Sequence, residues 1–158
     1  LTHAWNVDLK GFTDDFYQKM CCGNLSSVLR TIKTLAESSV HLEITNLLIP
    51  GENDDIGIFR KMVEWIADID RSIPLHISGY YPANQCRNPS THISEINKFT
   101  GIAREYLEYV YAGNTGEPCT TYCPECETRL TLRQHYYINN STINGKCPEC
   151  GHSIYVED

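Results

Sequence analysis

No run of apolar residues in this chain approaches the roughly 18 needed to cross a bilayer, although apolar residues make up 41% of its 158. A membrane span is excluded on that ground, and a packed core for one ordinary domain plus a small appendage is what remains. The amino end lacks a signal peptide: residues 1 to 20 alternate polar and apolar, with no basic start. Lys and Arg are scarce, 13 against 20 Asp and Glu, for a formal net charge of −7. So acidic a chain is a poor binder of phosphate backbones, which need clustered cations. No Met opens it; Leu1 does, and the chain reads as a piece of something longer.

Cysteine is not lacking. Eight are present, which raises the question of a secreted disulfide framework. Their placement opposes it. Cys21, Cys22 and Cys86 are scattered over the first 118 residues, and five crowd into the last 40. Adjacent Cys21 and Cys22 are an awkward start for a bridge. The pattern fits a reducing compartment, the cytoplasm, with one local metal site. The sequons at Asn24, Asn139 and Asn140 are then chance matches.

Along residues 1 to 114 strand-like and helix-like segments alternate. WNVDL (5–9) reads as a strand, and TDDFYQKMCC as a helix capped by Thr13. Val28, Leu29, Ile32, Leu35 and Ala36 make one helical stripe. HLEITNLLI (41–49) follows as a strand whose second half is apolar on both faces, as in a buried parallel sheet. Phe59, Met62, Val63, Ile66 and Ile69 form a second stripe, LHISGYY a strand, Ile96, Phe99, Ala103 and Leu107 a third stripe, and YVYAGN (109–114) a last strand. This alternation predicts a parallel α/β sheet or barrel. Residues 115 to 158 have no long helical period. They have strand-like runs (TRLTLRQHYYI, SIYV) and turn signals (NNST, NG), and are expected to form a second, small unit.

That tail contains CPEC twice. Cys123, Cys126, Cys147 and Cys150 stand as C-x2-C-x20-C-x2-C, and two such turns joined by a hairpin give four-thiolate tetrahedral coordination. Zinc is the expected metal of this zinc ribbon. Rubredoxin-like iron accepts the same ligands, and two disulfides or four thiols are the metal-free alternative. Gly151 follows the second turn, where close approach favours a residue without Cβ, whereas Glu127 follows the first. The tail is too small for a core of its own, so the metal is expected to drive its folding. From Glu117 onward it has six acids against three Lys or Arg, which favours a structural or protein-contact role over nucleic acid.

Three stretches lie at the carboxyl ends of predicted strands, where parallel α/β folds bind ligands. They are Asp8-Leu9-Lys10, the IPGEND turn (49–54), and His76 in PLHISGYYP. Each alone is ordinary. Together with AWNVDLKGFTDDFYQKMCCGNLSSVLRTIK, HLEITNLLIPGENDD, YVYAGN and the CPEC pair, they resemble the second half of a radical SAM enzyme. The resemblance is to the AmmeMemoRadiSam-system radical SAM proteins, related to pyruvate formate-lyase activating enzyme, and covers nearly the whole chain. It implies a six-stranded partial TIM-type (β/α) barrel, with residues 1–114 its C-terminal half and residues 115–158 the zinc ribbon. In such enzymes a 4Fe–4S cluster near the first strand reduces S-adenosylmethionine (SAM) to a 5′-deoxyadenosyl radical. By that match Asp8 lies at the cation or SAM-carboxylate site, Lys10 pairs with the carboxylate, and His76 contacts SAM.

By the same resemblance WNVDL, HLEITNLLI and LHISG are barrel strands four to six. The counterparts of strands one to three and the cluster cysteines are not in the sequence, so the chain is expected to be inert alone. CTTYCPEC (119–126) has the C-x3-C-x2-C spacing of a cluster loop. It follows the last strand rather than the first, has Glu125 where an aromatic is usual, and would take Cys126 from its pair. Cys119 is then an extra thiol, and Cys21, Cys22 and Cys86 are ordinary ones. Two readings compete with the radical SAM one: a stand-alone α/β protein-interaction module with a zinc ribbon, and a rubredoxin-like electron carrier. With no preceding strand, WNVDL is expected to be an exposed edge through which the chain self-associates.

Overall fold

A computed structural model describes residues 2–83, 86–134 and 136–154. The chain divides into two compact units, Leu1–Thr115 and Gly116–Asp158.

The first unit alternates strand and helix: β1 (Ala4–Asp8), α1 (Asp14–Cys21), α2 (Leu25–Ala36), β2 (His41–Leu48), α3 (Ile56–Ile69), β3 (Leu75–Gly79), α4 (Ile93–Ala103) and β4 (Val110–Gly113). Local chemistry sets the helix starts. The side chains of Thr13, Asn24 and Asp55 accept hydrogen bonds from the backbone N–H groups of Phe16, Ser27 and Ile58, filling donors a first turn leaves open. The four strands are all parallel and lie in chain order, β1-β2-β3-β4. Right-handed crossovers taken always in the same direction put every helix on one side of the sheet, the winding of a barrel wall rather than of a doubly wound sheet. The sheet holds four strands, the four that the sequence alternation predicts; the resemblance numbers only the first three of them, as barrel strands four to six.

One face of that sheet forms the core. Leu42, Ile44 and Leu48 of β2 and Leu75 and Ile77 of β3 pack with Ile32 of α2, Met62, Val63 and Ile66 of α3, and Ile96 and Phe99 of α4. Phe59 meets Phe99 edge-to-face, with ring centroids 4.7 Å apart. The opposite face is different. His41, Glu43, Thr45 and Leu47 on β2, His76 and Ser78 on β3, and Tyr111 and Gly113 on β4 are all half-buried, and Asn6 and Asp8 on β1 are exposed. In the second half of the expected strand 41–49, read as apolar on both faces, Leu48 and Ile49 are buried and Leu47 is half-buried against the cluster of Phe16, Tyr17, Ile49 and Tyr80, while along the whole of β2 burial alternates residue by residue. The helices cover only one side, and His41, Glu43 and Thr45 carry the polar half of the alternation.

The second unit is a three-stranded antiparallel sheet, β5 (Cys119–Tyr122), β6 (Arg129–Gln134) and β7 (Tyr137–Asn140), in the order β5-β6-β7. The expected run TRLTLRQHYYI folds back on itself, with Gln134 opposite Tyr137. Within NNST the strand ends. Asn139 and Asn140 stay in β7, and the Asn140 side chain accepts from the Thr142 N–H and hydroxyl, each at 3.1 Å, so the bend follows it. Asn144-Gly145 does turn: both residues have positive φ, 50° and 67°, between the bridged Ile143 and Lys146. Of the SIYV run, Ser153 bridges Lys146 and Ile154 is buried; Tyr155 and Val156 lie outside the described residues.

Candidate functional site

The parallel register lines up one residue from each strand of the first unit. Asp8 stands opposite Thr45, Thr45 opposite His76, and His76 opposite Tyr111. In-register partners point to the same face, so this row crosses the uncovered polar face; it meets β1 at its carboxyl end but β3 and β4 at their second residues, so His76 lies near the amino end of its strand and not at the carboxyl end expected for it. Lys10 follows two residues after Asp8, and its Nζ lies 3.2 Å from Asp8 Oδ2. Both are well exposed, so the pair contributes little to stability. Asp8 and Lys10 are thus together, whereas His76 is two strands away, about 10 Å across the sheet.

His76 is held by a residue that the sequence reading did not single out. Its Nε2 is 3.0 Å from Glu43 Oε2, while the other oxygen, Oε1, is 3.1 Å from His41 Nε2. The His76 ring also lies against Tyr111, with centroids 5.2 Å apart and planes inclined by 31°. Partial burial works to raise the Glu43 carboxyl, but the hydrogen bonds and charge of His41 and His76 outweigh it and hold the group below the usual carboxylate value. The signal was present in the text HLE: His41 and Glu43, two apart on a strand, share a face. Which strand lies beside them was not readable.

The loops at the carboxyl ends are fastened by amide and hydroxyl side chains. Asn53 Nδ2 donates to the carbonyls of Lys10 (2.5 Å) and Leu47 (2.8 Å), and its Oδ1 accepts from the Ile49 N–H (2.6 Å). Asn88 donates to the Pro50 carbonyl at 2.9 Å. Thr91 accepts from the Tyr80 N–H at 2.8 Å and donates to the Leu48 carbonyl at 2.5 Å. Asn114 donates to the Gly79 carbonyl at 3.2 Å. The Lys10 N–H donates to the Tyr17 hydroxyl at 3.2 Å, and burial pushes that phenol up to about 12 against the effect of this bond. Burial likewise raises the Cys21 thiol, although Lys10 opposes it, so Cys21 is not a ready nucleophile.

The second unit brings Cys123, Cys126, Cys147 and Cys150 together, with their sulfurs all within 4.8 Å of one another. The Cys123–Cys150 and Cys126–Cys147 Sγ···Sγ distances are both 3.6 Å. A disulfide needs about 2.05 Å. Four sulfurs about 2.3 Å from one ion at tetrahedral angles stand about 3.8 Å apart. The group therefore fits a four-coordinate metal and not two bridges. The two CPEC turns are built alike. Cys123 N–H donates to the Thr128 carbonyl and Glu127 N–H to the Cys123 carbonyl, each at 2.9 Å. Cys147 N–H donates to the His152 carbonyl at 2.9 Å and Gly151 N–H to the Cys147 carbonyl at 3.0 Å. Glu127 and Gly151 both have positive φ, 57° and 74°. Hydrogen bonding with Thr128, whose hydroxyl is 3.2 Å away, lowers the Cys126 thiol to about 6, whereas Cys150, against the lowering effect of the His152 backbone, is raised to about 12 by burial and the neighbouring sulfurs. Cys119 belongs to β5 and is not one of the four.

No protein-family model matches the chain. An uncharacterized protein of Methanocaldococcus jannaschii is 35% identical over 163 aligned residues, which take in 97% of this chain and 48% of that protein. The chain thus spans about half the length of the curated relative it matches. Among solved structures, a domain of pyruvate-formate lyase-activating enzyme from Bacteroides vulgatus superposes with a TM-score of 0.61 at 21% identity, over 71% of this chain and 68% of that one. The chain shares the fold of that domain. TYW1 with a lysine-pyruvate adduct bound superposes with a TM-score of 0.53 at 26% identity, over 68% of this chain and 36% of that one. The first likeness is one of fold alone; the second fits the radical SAM superfamily to which the sequence resemblance points. Among the described residues no helix is long and apolar enough to cross a membrane.

Proposed function

We propose that this chain is the C-terminal part of a cytoplasmic radical SAM enzyme resembling pyruvate formate-lyase activating enzyme: the second half of a (β/α)6 barrel, followed by a structural zinc ribbon. The observation that carries the reading is the uncovered face of the parallel sheet. Such sheets are ordinarily covered on both sides, and here the open side is lined by Asp8, Thr45, His76 and Tyr111 in one register row. A polar face that runs from the middle of the strands to Asp8 and Lys10 at the carboxyl end of β1 suits a barrel interior that holds a ligand.

SAM bound at a 4Fe–4S cluster supplies radical chemistry by its reductive cleavage. The residues of this chain bind and orient. Lys10 offers its ammonium to the methionine carboxylate of SAM. Asp8, 3.2 Å from that ammonium, keeps it over the face. Asn53 fixes the backbone of Lys10 through its carbonyl. His76 supplies an imidazole contact from β3. The cluster belongs to a part of the protein outside residues 1–158, and this chain alone is inert. The four cysteines hold zinc that folds the ribbon. The acidic surface suits a protein substrate or partner better than a nucleic acid. The edge of β1, paired on one side by β2 among the described residues, self-associates when the barrel is open, so sedimentation of residues 1–158 is expected to show a mass that rises with concentration.

The deciding experiment treats residues 1–158 and the full-length protein alike with iron, sulfide, reductant and SAM under anaerobic conditions. The full-length protein is expected to release 5′-deoxyadenosine and residues 1–158 none. Release by residues 1–158 would overturn the placement of the cluster. Failure of the full-length protein to bind SAM would overturn the function.

A further inference from the structure

Glu43 is a half-buried carboxylate on the uncovered face, near the amino end of β2, and its hydrogen-bond partners among the described residues are two imidazoles, with no Lys or Arg. An ionised carboxylate only accepts hydrogen bonds. Each of its oxygens faces an Nε2, at 3.1 Å for His41 and 3.0 Å for His76. Both imidazoles must therefore carry their proton on Nε2. For His76 in the neutral form, this leaves Nδ1 as the lone-pair nitrogen, the acceptor that the ring offers to a ligand. Tyr111, stacked at 5.2 Å, limits rotation of the ring, so its plane and its tautomer are set by two different neighbours.

We infer that Glu43 is a positioning residue for the ligand site of this face: it fixes His76 as the Nε2–H tautomer, so that Nδ1 is presented as an acceptor to a hydrogen-bond donor of the bound ligand. The inference about the ring rests on the geometry above, and its extension to SAM rests on the function proposed for the face. His41 is the counterweight. It occupies the second oxygen of Glu43, so the carboxylate is pinned at both ends and cannot swing off His76 towards Lys10.

The test uses Glu43→Gln, which matches the size of the side chain but has one acceptor oxygen and one amide donor. The amide must turn its NH2 towards one of the two rings, which then has to accept through Nε2 and move its proton to Nδ1. Side-chain 15N spectra of residues 1–158, taken at mildly alkaline pH where imidazole is neutral, read the tautomer directly. Wild type is expected to show both rings as Nε2–H. Glu43→Gln is expected to show one ring switched, and Glu43→Ala to show both rings as tautomer mixtures. An Nδ1–H His76 in wild type, or unchanged tautomers in both variants, overturns the inference. SAM titrated into the full-length protein gives the second readout, with affinity expected to fall about tenfold in Glu43→Ala. A tautomer change with unaltered SAM affinity overturns the SAM role of His76 and leaves the hold of Glu43 on the ring standing.

Discussion

Asn53 and Lys10 are joined across the ends of two neighbouring strands: the Asn53 amide donates to the Lys10 carbonyl while its two remaining hydrogen bonds close the turn after β2. One side chain thus sets both the IPGEND turn and the height of Lys10 above the open face. Asn53→Ala removes three part-buried hydrogen bonds and is expected to destabilise the first unit by about 2–3 kcal/mol. Asn53→Asp is expected to cost at least as much, because it turns a carboxylate oxygen towards two carbonyls. Both tryptophans, Trp5 and Trp65, lie in the first unit. Urea midpoints followed by their fluorescence check this without interference from the ribbon.

Metal should be stoichiometric and all four thiols necessary. The ribbon's buried cluster consists of Cys123, Leu130, Cys147 and Ile154, which is too few apolar side chains to hold the sheet without the ion. About one zinc per chain is expected by elemental analysis. Cys147→Ser or Cys123→Ser should bring it near zero, and Cys119→Ser should leave it unchanged. Chelation should unfold the second unit while tryptophan fluorescence stays native. A red protein with stoichiometric iron would assign the site to iron instead.

The two CPEC turns make an internal experiment on backbone strain. They share their hydrogen bonds and a left-handed residue, which is Gly151 in one turn and Glu127 in the other. A side chain at positive φ costs about 1–2 kcal/mol, partly offset by the greater freedom of glycine in the unfolded chain. Glu127→Gly is therefore expected to stabilise the metal-loaded ribbon by about 0.5–1 kcal/mol. Gly151→Ala should destabilise it by a similar amount or more; a Cβ there meets nothing within 4 Å, so the cost is purely conformational. Metal-competition titrations of the two variants should move in opposite directions.

The alternation of elements was legible because α2, α3 and α4 each carry one apolar stripe, such as Phe59, Met62, Val63 and Ile66 of α3, and Pro or Gly stands at or just after the end of β2, β3 and β4. The metal group was legible because four ligands in two identical turns leave little freedom. Asp8, Lys10 and His76 came from resemblance and from their expected place at strand ends. Which strand lies beside which is a long-range property, and so the Glu43–His76 contact, made between residues 33 positions apart, left no local mark. Which side of β2 each residue takes was hidden for a related reason. Leu47, Leu48 and Ile49 read as an apolar run, but Leu47 lies on the open side and Leu48 in the core, and only the common direction of the crossovers tells the two sides apart.

Acid should weaken the first unit through Glu43. Its carboxyl titrates below its ordinary value of 4.5 when folded, because His41 and His76 donate to it. A depressed carboxyl contributes stability that is full above the unfolded value and disappears as pH falls through the folded one. Glu43→Gln, a neutral stand-in for the protonated acid, lacks that contribution at every pH. The difference in unfolding free energy between wild type and Glu43→Gln should thus be flat above about pH 4.5 as far as Glu43 alone is concerned, and should shrink below it. The group is half-exposed, which keeps the amplitude under about 1 kcal/mol. Urea unfolding by tryptophan fluorescence in steps of pH measures it. A difference that grows as pH falls below about 4.5 would contradict an ionised Glu43 held by two histidines.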